Sequence, residues 1–293
     1  MRLWLICLLW LPGSTLFAIE VKDSADQWVR LDTPAQRVVT LSPHATELVF
    51  AAGGGTRLVG AVEWSDYPPE AKRIPRVGDA ARLDRERLLG LRPDLVIAWS
   101  GGNRPRDLEW LARHGIPIYH SAPRRLAQIA DDIAAIGRLL GTTKTGRTAA
   151  STFRQRLNAL RRRYQDAPPF RYFYQLWPQP LMTVGGASLI GQALMLCKGS
   201  NIFAGLTTPS ATVSREAVIA ADPEVIIAPV EHGQTGDPFR AWRHWKKMKA
   251  ITAQRLYTVP ADLIHRPTPR LLDGIERLCG EIHDRAPADA LHY

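Results

Sequence analysis

Apolar residues along this chain recur with two alternating periods. Val38, Val39 and Leu41 form a short β-branched run that Pro43 stops, and positions 45–52 then carry helical apolar spacing before Gly53, Gly54 and Gly55 end it. A strand at 58–62 leads into the turn-rich stretch Trp64, Ser65, Asp66, Tyr67, Pro68, Pro69. Beyond it the spacing predicts a helix over 83–91, a buried strand over 94–99, a helix over 106–114, a strand over 116–119 and a helix over 126–140. Between 144 and 167, Ala150, Phe153, Leu157, Leu160 and Tyr164 recur at steps of three and four, so they share one helical stripe. Arg154, Arg156, Arg161 and Arg162 fall on the other sides. At roughly 1.5 Å per residue that segment is a rod on the order of 35 Å long, about the width of a small domain. The alternation then resumes, with strands predicted over 171–176, 225–229 and 256–259 and helices over 189–197, 217–221, 239–248 and 269–283.

Strands alternating with helices of this length imply parallel sheets covered on both faces. The fold class is therefore α/β: two Rossmann-like lobes with parallel sheets, joined by one long rigid interdomain helix. Residues 19–143 form the first lobe, 144–167 the helix and 168–293 the second lobe. The two halves are also related in their letters. RERLLGLRPDLVIAW, from Arg85, aligns with REAVIAADPEVIIAP, from Arg215, and keeps the Arg-Glu pair, the Pro, an Ile and an Ala in register. Two related lobes held by a rod leave a cleft between them, a favoured place for a small-ligand site.

The first eighteen residues, MRLWLICLLWLPGSTLFA, have the layout of a secretory signal: a basic residue, a short apolar run and small residues before an acidic, polar start. Cleavage is expected near Ala18, which places the mature chain in the periplasm; a retained amphipathic anchor is the other reading. No second apolar run of spanning length follows. Loss of residues 1–18 removes Arg2 and no acid, so the formal charge falls from +10 to +9 on 275 residues. That charge is scattered, dense only in RLNALRRRY and RAWRHWKKMK, and reads as solvated helix faces with no nucleic acid as partner. The mature chain keeps Cys197 and Cys279. In an oxidising compartment they form one disulfide or remain two buried thiols.

Catalytic signatures are missing. The glycines of AAGGGTRL lack the Lys and Ser/Thr of a phosphate loop, and no G-x-S-x-G, H-E-x-x-H or paired-cysteine metal set appears, so neither an enzyme, a metal site nor a cofactor is expected. His114, His120, His232, His244 and His283 stand isolated, and spacing alone sets Glu47 and Asp66 within reach of no obvious partner. Aromatic residues at strand ends are the positive sign. Trp64 follows the second strand, Trp99 ends the third and Trp177 ends the first strand of the second half. Ligands of open α/β sheets collect outside the carboxyl ends of strands, and an indole offers a flat apolar face with one N–H donor. Simple core cover is the alternative for each.

RVVTLSPHATELVFAAG, VEWSDYPPEA, DRERLLGLRPDLVIAWSGGN, TVSREAVIAADPEVII and TPRLL at Thr268 resemble the helical-backbone (type III) binding proteins of bacterial ABC importers, and among them the vitamin B12-binding group. The resemblance runs from about Arg37 to Cys279. It implies a corrinoid held flat in the cleft as transported ligand, little hinge motion, and a disulfide between Cys197 and Cys279 in the second lobe. Pocket positions fall on Pro43, His44, Trp64 and Trp99, with Trp177 beside a Phe position occupied by Leu176. Asp262 and Arg266 are the acid and base expected to reach the ligand's amide side chains, and Glu86 and Glu216 are expected to dock onto the permease of an importer that also carries an ATPase. Membrane contact would come only through the permease, from a monomer. Two further aromatic positions of the family fall on Ala80 and Ser210, which predicts a wider or less apolar pocket there. His44 offers a hydrogen bond to a ligand amide or, as a second reading, a metal ligand for cobalt or haem iron. The rival functions are a same-fold receptor for haem or a ferric siderophore, an exported enzyme using the cleft near Asp262 or His265, and a binder of polyanions.

Overall fold

In the structure, a computed structural model, residues 19–79, 82–231 and 233–284 are described. The predicted signal over 1–18, Ala80 and His232 lie outside the described residues. The chain enters through a hairpin, β1 (Ile19–Lys22) and β2 (Trp28–Leu31), paired antiparallel. Asp23 closes its turn by accepting from the backbone N–H groups of Ala25 and Gln27.

The first lobe follows as β3 (Val38–Thr40), α1 (Pro43–Ala51), β4 (Leu58–Ala61), α2 (Arg85–Gly90), β5 (Leu95–Ala98), α3 (Pro105–Arg113), β6 (Ile118–His120) and α4 (Leu126–Leu139). Its strands form a parallel sheet in the order β4-β3-β5-β6. Helix α5 (Thr143–Arg163) runs on into the second lobe, which contains β7 (Phe170–Tyr174), β8 (Trp177–Pro178), β9 (Leu181–Val184), α6 (Leu189–Met195), β10 (Gly199–Asn201), β11 (Ser210–Thr212), α7 (Arg215–Ala221), β12 (Val225–Val230), α8 (Lys249–Thr252), β13 (Leu256–Pro260), α9 (Ala261–Ile264) and α10 (Leu271–Asp284). The second parallel sheet has the order β10-β7-β12-β13. In both sheets the first strand lies second from one edge and the chain switches sides after the next parallel strand, so the halves share one topology.

The strands are apolar on both faces because both faces are covered. Val38, Leu95 and Ile97 join an apolar cluster that continues through α4, α5, α6 and α10 into the second lobe, while Val39, Val96 and Ala98 face a separate cluster under α2 and α3. Phe173, Ile226 and Ala228 do the same on the far side of the second sheet. The internal repeat corresponds to α2-β5 and α7-β12. Asp84 caps α2 by accepting from the Arg87 N–H, and Ser214 caps α7 by accepting from the Ala217 N–H.

The stripe predicted for the connector is the stripe that packs: Ala150, Phe153, Leu157, Leu160 and Tyr164 are all buried. The helix stops at Arg163, four residues short of the predicted 167, because Pro168 and Pro169 hold the preceding backbone away from helical angles and residues 164–167 turn instead. Gly146 lets α5 lie against α4, since a Cβ there would stand 3.0 Å from the Gly137 Cα. One predicted helix is absent. Residues 239–248 form successive turns in which Trp242 bonds back to Phe239, Trp245 to Trp242 and Met248 to Trp245. A three-residue turn repeat buries Phe239, Trp242 and Met248 at spacings that also fit a helix, so the period alone misleads. The small antiparallel sheet β11-β9-β8 is an addition of the second lobe that the sequence pattern did not indicate.

Candidate functional site

In the first sheet the topological switch lies between β3 and β5, where ligands of open α/β sheets bind. Asn103 pins the two strand ends together: its Nδ2 donates to the Leu41 carbonyl at 2.8 Å and its Oδ1 accepts from the Trp99 N–H at 2.7 Å. Ser42 then caps α1 by accepting from the Ala45 N–H, and Pro43 starts the helix, which fixes His44 in its first turn. The His44 ring meets Trp99 edge to face, with centroids 5.8 Å apart. A hydroxyl chain, Thr40 to Thr46 at 2.7 Å and Thr46 to Ser65 at 3.1 Å, ties the same strand end to the loop carrying Trp64 and Asp66. Trp64 sits at φ 64°, an uncommon angle for a bulky residue, and is 77% exposed. Trp99 is 40% exposed, so neither indole is core cover.

His44 is buried, and its Nε2 has no hydrogen-bond partner in the protein. Burial lowers its pKa from 6.5 to about 4, and nearby Arg266 pushes the same way against a hydrogen bond to the Ser121 backbone. The ring is therefore neutral at physiological pH. Because the folded pKa lies below the unfolded one, His44 contributes stability fully above pH 6.5 and loses it as pH falls toward 4, a loss of about 3 kcal/mol for a shift of this size. Urea unfolding at pH 7 and pH 4.5 checks this. His44→Ala should flatten the acid limb, and an unchanged slope would contradict the assignment.

Opposite this strand end, the segment after α9 reaches across from the second lobe. Arg266 Nη1 contacts Glu47 Oε1 and Asp66 Oδ1, each at 3.0 Å, and Nη2 donates to the Trp64 carbonyl at 3.2 Å. Arg270 Nη1 contacts Glu47 Oε1 at 3.3 Å, and Nη2 contacts Asp262 Oδ2 at 2.5 Å. The Arg270 guanidinium also lies 3.9 Å over the Tyr67 ring. The Glu47 side chain is only 3% exposed, and the Thr268 hydroxyl also hydrogen bonds to it. Burial raises the Glu47 pKa, with the two guanidiniums opposing that shift. Asp262 and Arg266, expected to act side by side, are each engaged in ion pairs with other residues, Asp262 with Arg270 and Arg266 with Glu47 and Asp66. Glu47 and Asp66, which spacing left without partners, complete the network. One signal pointed to Glu47: it lies three residues after His44 on α1, on the same side of the helix.

Trp177 lies beyond the carboxyl end of β7, 54% exposed, with its indole N–H bonded to the Gln179 carbonyl at 3.0 Å. The neighbouring Leu176 packs toward the core. Tyr174, at the end of β7, pairs its hydroxyl with His265 Nε2 at 2.9 Å. Ser210 opens β11. Glu86 and Glu216 are exposed in the first turns of α2 and α7, outside the cluster just described. Hydrogen bonds from its own backbone N–H and from Ser214 hold Glu216 below the usual carboxylate range. Cys197 and Cys279 form a disulfide with Cα atoms 5.8 Å apart, which joins the end of α6 to α10. Among the described residues, no group of three or more His, Cys, Asp or Glu side chains is arranged to hold a metal ion, and no helix is long and apolar enough to cross a membrane.

A family profile described as periplasmic binding protein matches residues 38–263. The chain belongs to the periplasmic binding protein family. It is 41% identical over 246 residues to the vitamin B12-binding protein of Vibrio cholerae serotype O1, an alignment that covers 84% of this chain and 88% of that one. The crystal structure of the periplasmic vitamin B12-binding protein BtuF of Vibrio cholerae superposes with a TM-score of 0.77 at 40% identity, over 85% of this chain and 97% of the other. A periplasmic heme-binding protein from Pseudomonas aeruginosa has the same architecture at 26% identity and a TM-score of 0.73, over 86% of this chain and 94% of that one.

Proposed function

We propose that this chain captures cobalamin or a related corrinoid in the cleft between its lobes and delivers it to the permease of an ABC importer, making and breaking no bond. The observation that carries the reading is the 41% identity with a vitamin B12-binding protein across most of both chains. The geometry at the first switch point supports it. Trp64 and Trp99 are both exposed apolar rings, and Trp99 stands against His44, as a broad, flat macrocycle requires. In this reading Pro43 and the two indoles bound the macrocycle from the first lobe, and Trp177 contributes from the second. His44 hydrogen bonds to a rim amide, while Asp262 and Arg266 meet the polar rim. The chain works as a periplasmic monomer, released near Ala18 and divided into lobes 19–143 and 168–293 about the 144–167 segment. The corrinoid is cargo, and no cofactor is involved.

Calorimetric titration of the mature chain with cyanocobalamin should give saturable 1:1 binding with Kd below about 10 μM, roughly 7 kcal/mol. No heat of binding up to that concentration would sink the ligand assignment. Glu86 and Glu216 are assigned to the permease because each projects from a capped helix start at the same place in the two related lobes. Changing both to Ala should leave cyanocobalamin affinity within twofold and lower uptake by cells at least tenfold. Lost ligand binding in that double variant would overturn the separation of roles.

A further inference from the structure

We propose that the groove flanking α5, where both lobes meet that helix, is a second binding site that takes a medium-chain carboxylate, an alkyl chain with one anionic head. The groove has a volume of about 470 Å³, within the range of small-ligand sites, and is built from the start of α4 in the first lobe, α5 itself and the end of α6 in the second. None of the residues around it belongs to the cluster about His44 and Glu47. Its floor is apolar because Leu126, Leu157 and Leu196 turn inward there and join the cluster shared by the two lobes. Met195 also lines it, a long flexible apolar side chain with 63% of its surface left in water. Gln192 fixes the walls relative to each other. Its Oε1 accepts from the Leu126 N–H at 3.3 Å and its Nε2 donates to the Arg124 carbonyl at 2.7 Å, so α6 is tied to the start of α4 across the lobe boundary.

The charges around that floor are of one sign. Arg125, Arg161 and Lys198 line the groove and are exposed, and no aspartate or glutamate lines it with them. Among the described residues none of the three forms an ion pair, and Arg161 donates to the neutral Asn158 Oδ1 at 3.2 Å. Elsewhere on α5 the arginines are neutralised, Arg154 by Asp131 and Arg156 by Asp273. Lys198 is also anchored, because the preceding Cys197 is crosslinked to α10. An apolar floor under unpaired cations matches both ends of an amphiphile: the chain leaves water on the leucines and the methionine, and the head meets the cations. A bare anion would leave the floor unused, and a neutral apolar ligand would leave the cations unused. A flat bilayer cannot reach the floor of a concave seam, whereas a single chain can.

The test is calorimetric titration of the whole mature chain with decanoate, hexanoate and decyltrimethylammonium, each kept below the concentration at which it forms micelles. Decanoate should bind 1:1 with Kd below about 100 μM. Hexanoate, four methylenes shorter, should bind about thirtyfold or more weakly, because each buried methylene tightens binding by roughly three- to fourfold. Decyltrimethylammonium, with the same chain and the opposite charge, should bind about tenfold or more weakly than decanoate. Saturating cyanocobalamin should leave decanoate affinity within about twofold. Arg161→Ala with Lys198→Asn should weaken decanoate by about tenfold and leave cyanocobalamin affinity within about twofold; Asn is the replacement because Lys198 sits at φ 66°, which Asn tolerates. Where that pair fails to fold, Met195→Asp, at an exposed position, should by itself weaken decanoate by about tenfold. Equal affinity for the cation and the anion overturns the role of the three cations. Displacement of decanoate by cyanocobalamin, or a decanoate affinity unmoved by these changes, overturns the site. Failure of decanoate to bind overturns the whole proposal and leaves the corrinoid reading intact.

Discussion

Replacing Cys197 and Cys279 together should destabilise the chain by about 4 kcal/mol and lower its melting temperature by on the order of 10 °C. The bond closes a loop with a sequence separation of 82. In the chain-entropy account the constraint acts mainly on the unfolded ensemble and grows with loop length. Position adds to this effect. Both sulfurs are fully buried, one just after α6 and the other on α10, and the two helices belong to the apolar cluster that also contains the inner stripe of α5. Serine hydroxyls at both sites would add buried polar groups, so the alanine pair isolates the crosslink and the serine pair should be lower still by about 1–3 kcal/mol. Thermal and urea unfolding of oxidised wild type, reduced wild type and both pairs measures the difference. A reduced wild type as stable as the oxidised one would remove the crosslink from the account of stability.

The second large effect is on binding. Trp99→Ala should weaken cyanocobalamin binding by roughly 30- to 100-fold, a loss of about 2–3 kcal/mol typical of an aromatic anchor. Trp99 ends the strand beside the topological switch, its backbone N–H is held by Asn103 and its ring is braced by His44, so the indole is fixed before any ligand arrives. Trp99→Phe should recover part of the affinity, because the smaller ring keeps the stacking face. Trp28→Ala serves as control, since that indole is also exposed, at 59%, but belongs to the entry hairpin and to neither parallel sheet. It should leave affinity within twofold. Equal losses for Trp28 and Trp99 would show that bulk surface apolarity, and not the switch-point wall, governs binding.

Much of this architecture was legible in the residues. Related words at Arg85 and Arg215 correspond to helices capped in the same way and followed by strands adjacent to the first strand of each sheet, because an N-cap side chain and an apolar run are local signals. The connector was equally plain, since its buried stripe from Ala150 to Tyr164 runs for about four turns of a single helix. Residues 239–248 were misread because a chain of three-residue turns places Phe239, Trp242 and Met248 inward much as a helix would. β8 and β11 are two and three residues long, too short for alternation to show. The Glu47 network was beyond local reading for another reason. Glu47 and Arg266 are 219 positions apart and meet only because two lobes face each other, so neither residue carries a neighbouring sign of its partner. A buried acid of this kind is weak evidence for stability, and the network is better understood as fixing geometry at the cleft.

Locating cobalt directly gives the sharpest test of a ligand slot between the lobes. A crystal of the mature chain grown with cyanocobalamin, measured at the cobalt absorption edge, should show one strong anomalous peak between the β3 and β5 strand ends and the segment running from Ala261 to Arg270. A peak on the outer face of either lobe or along α5, with the cleft empty, would contradict the account.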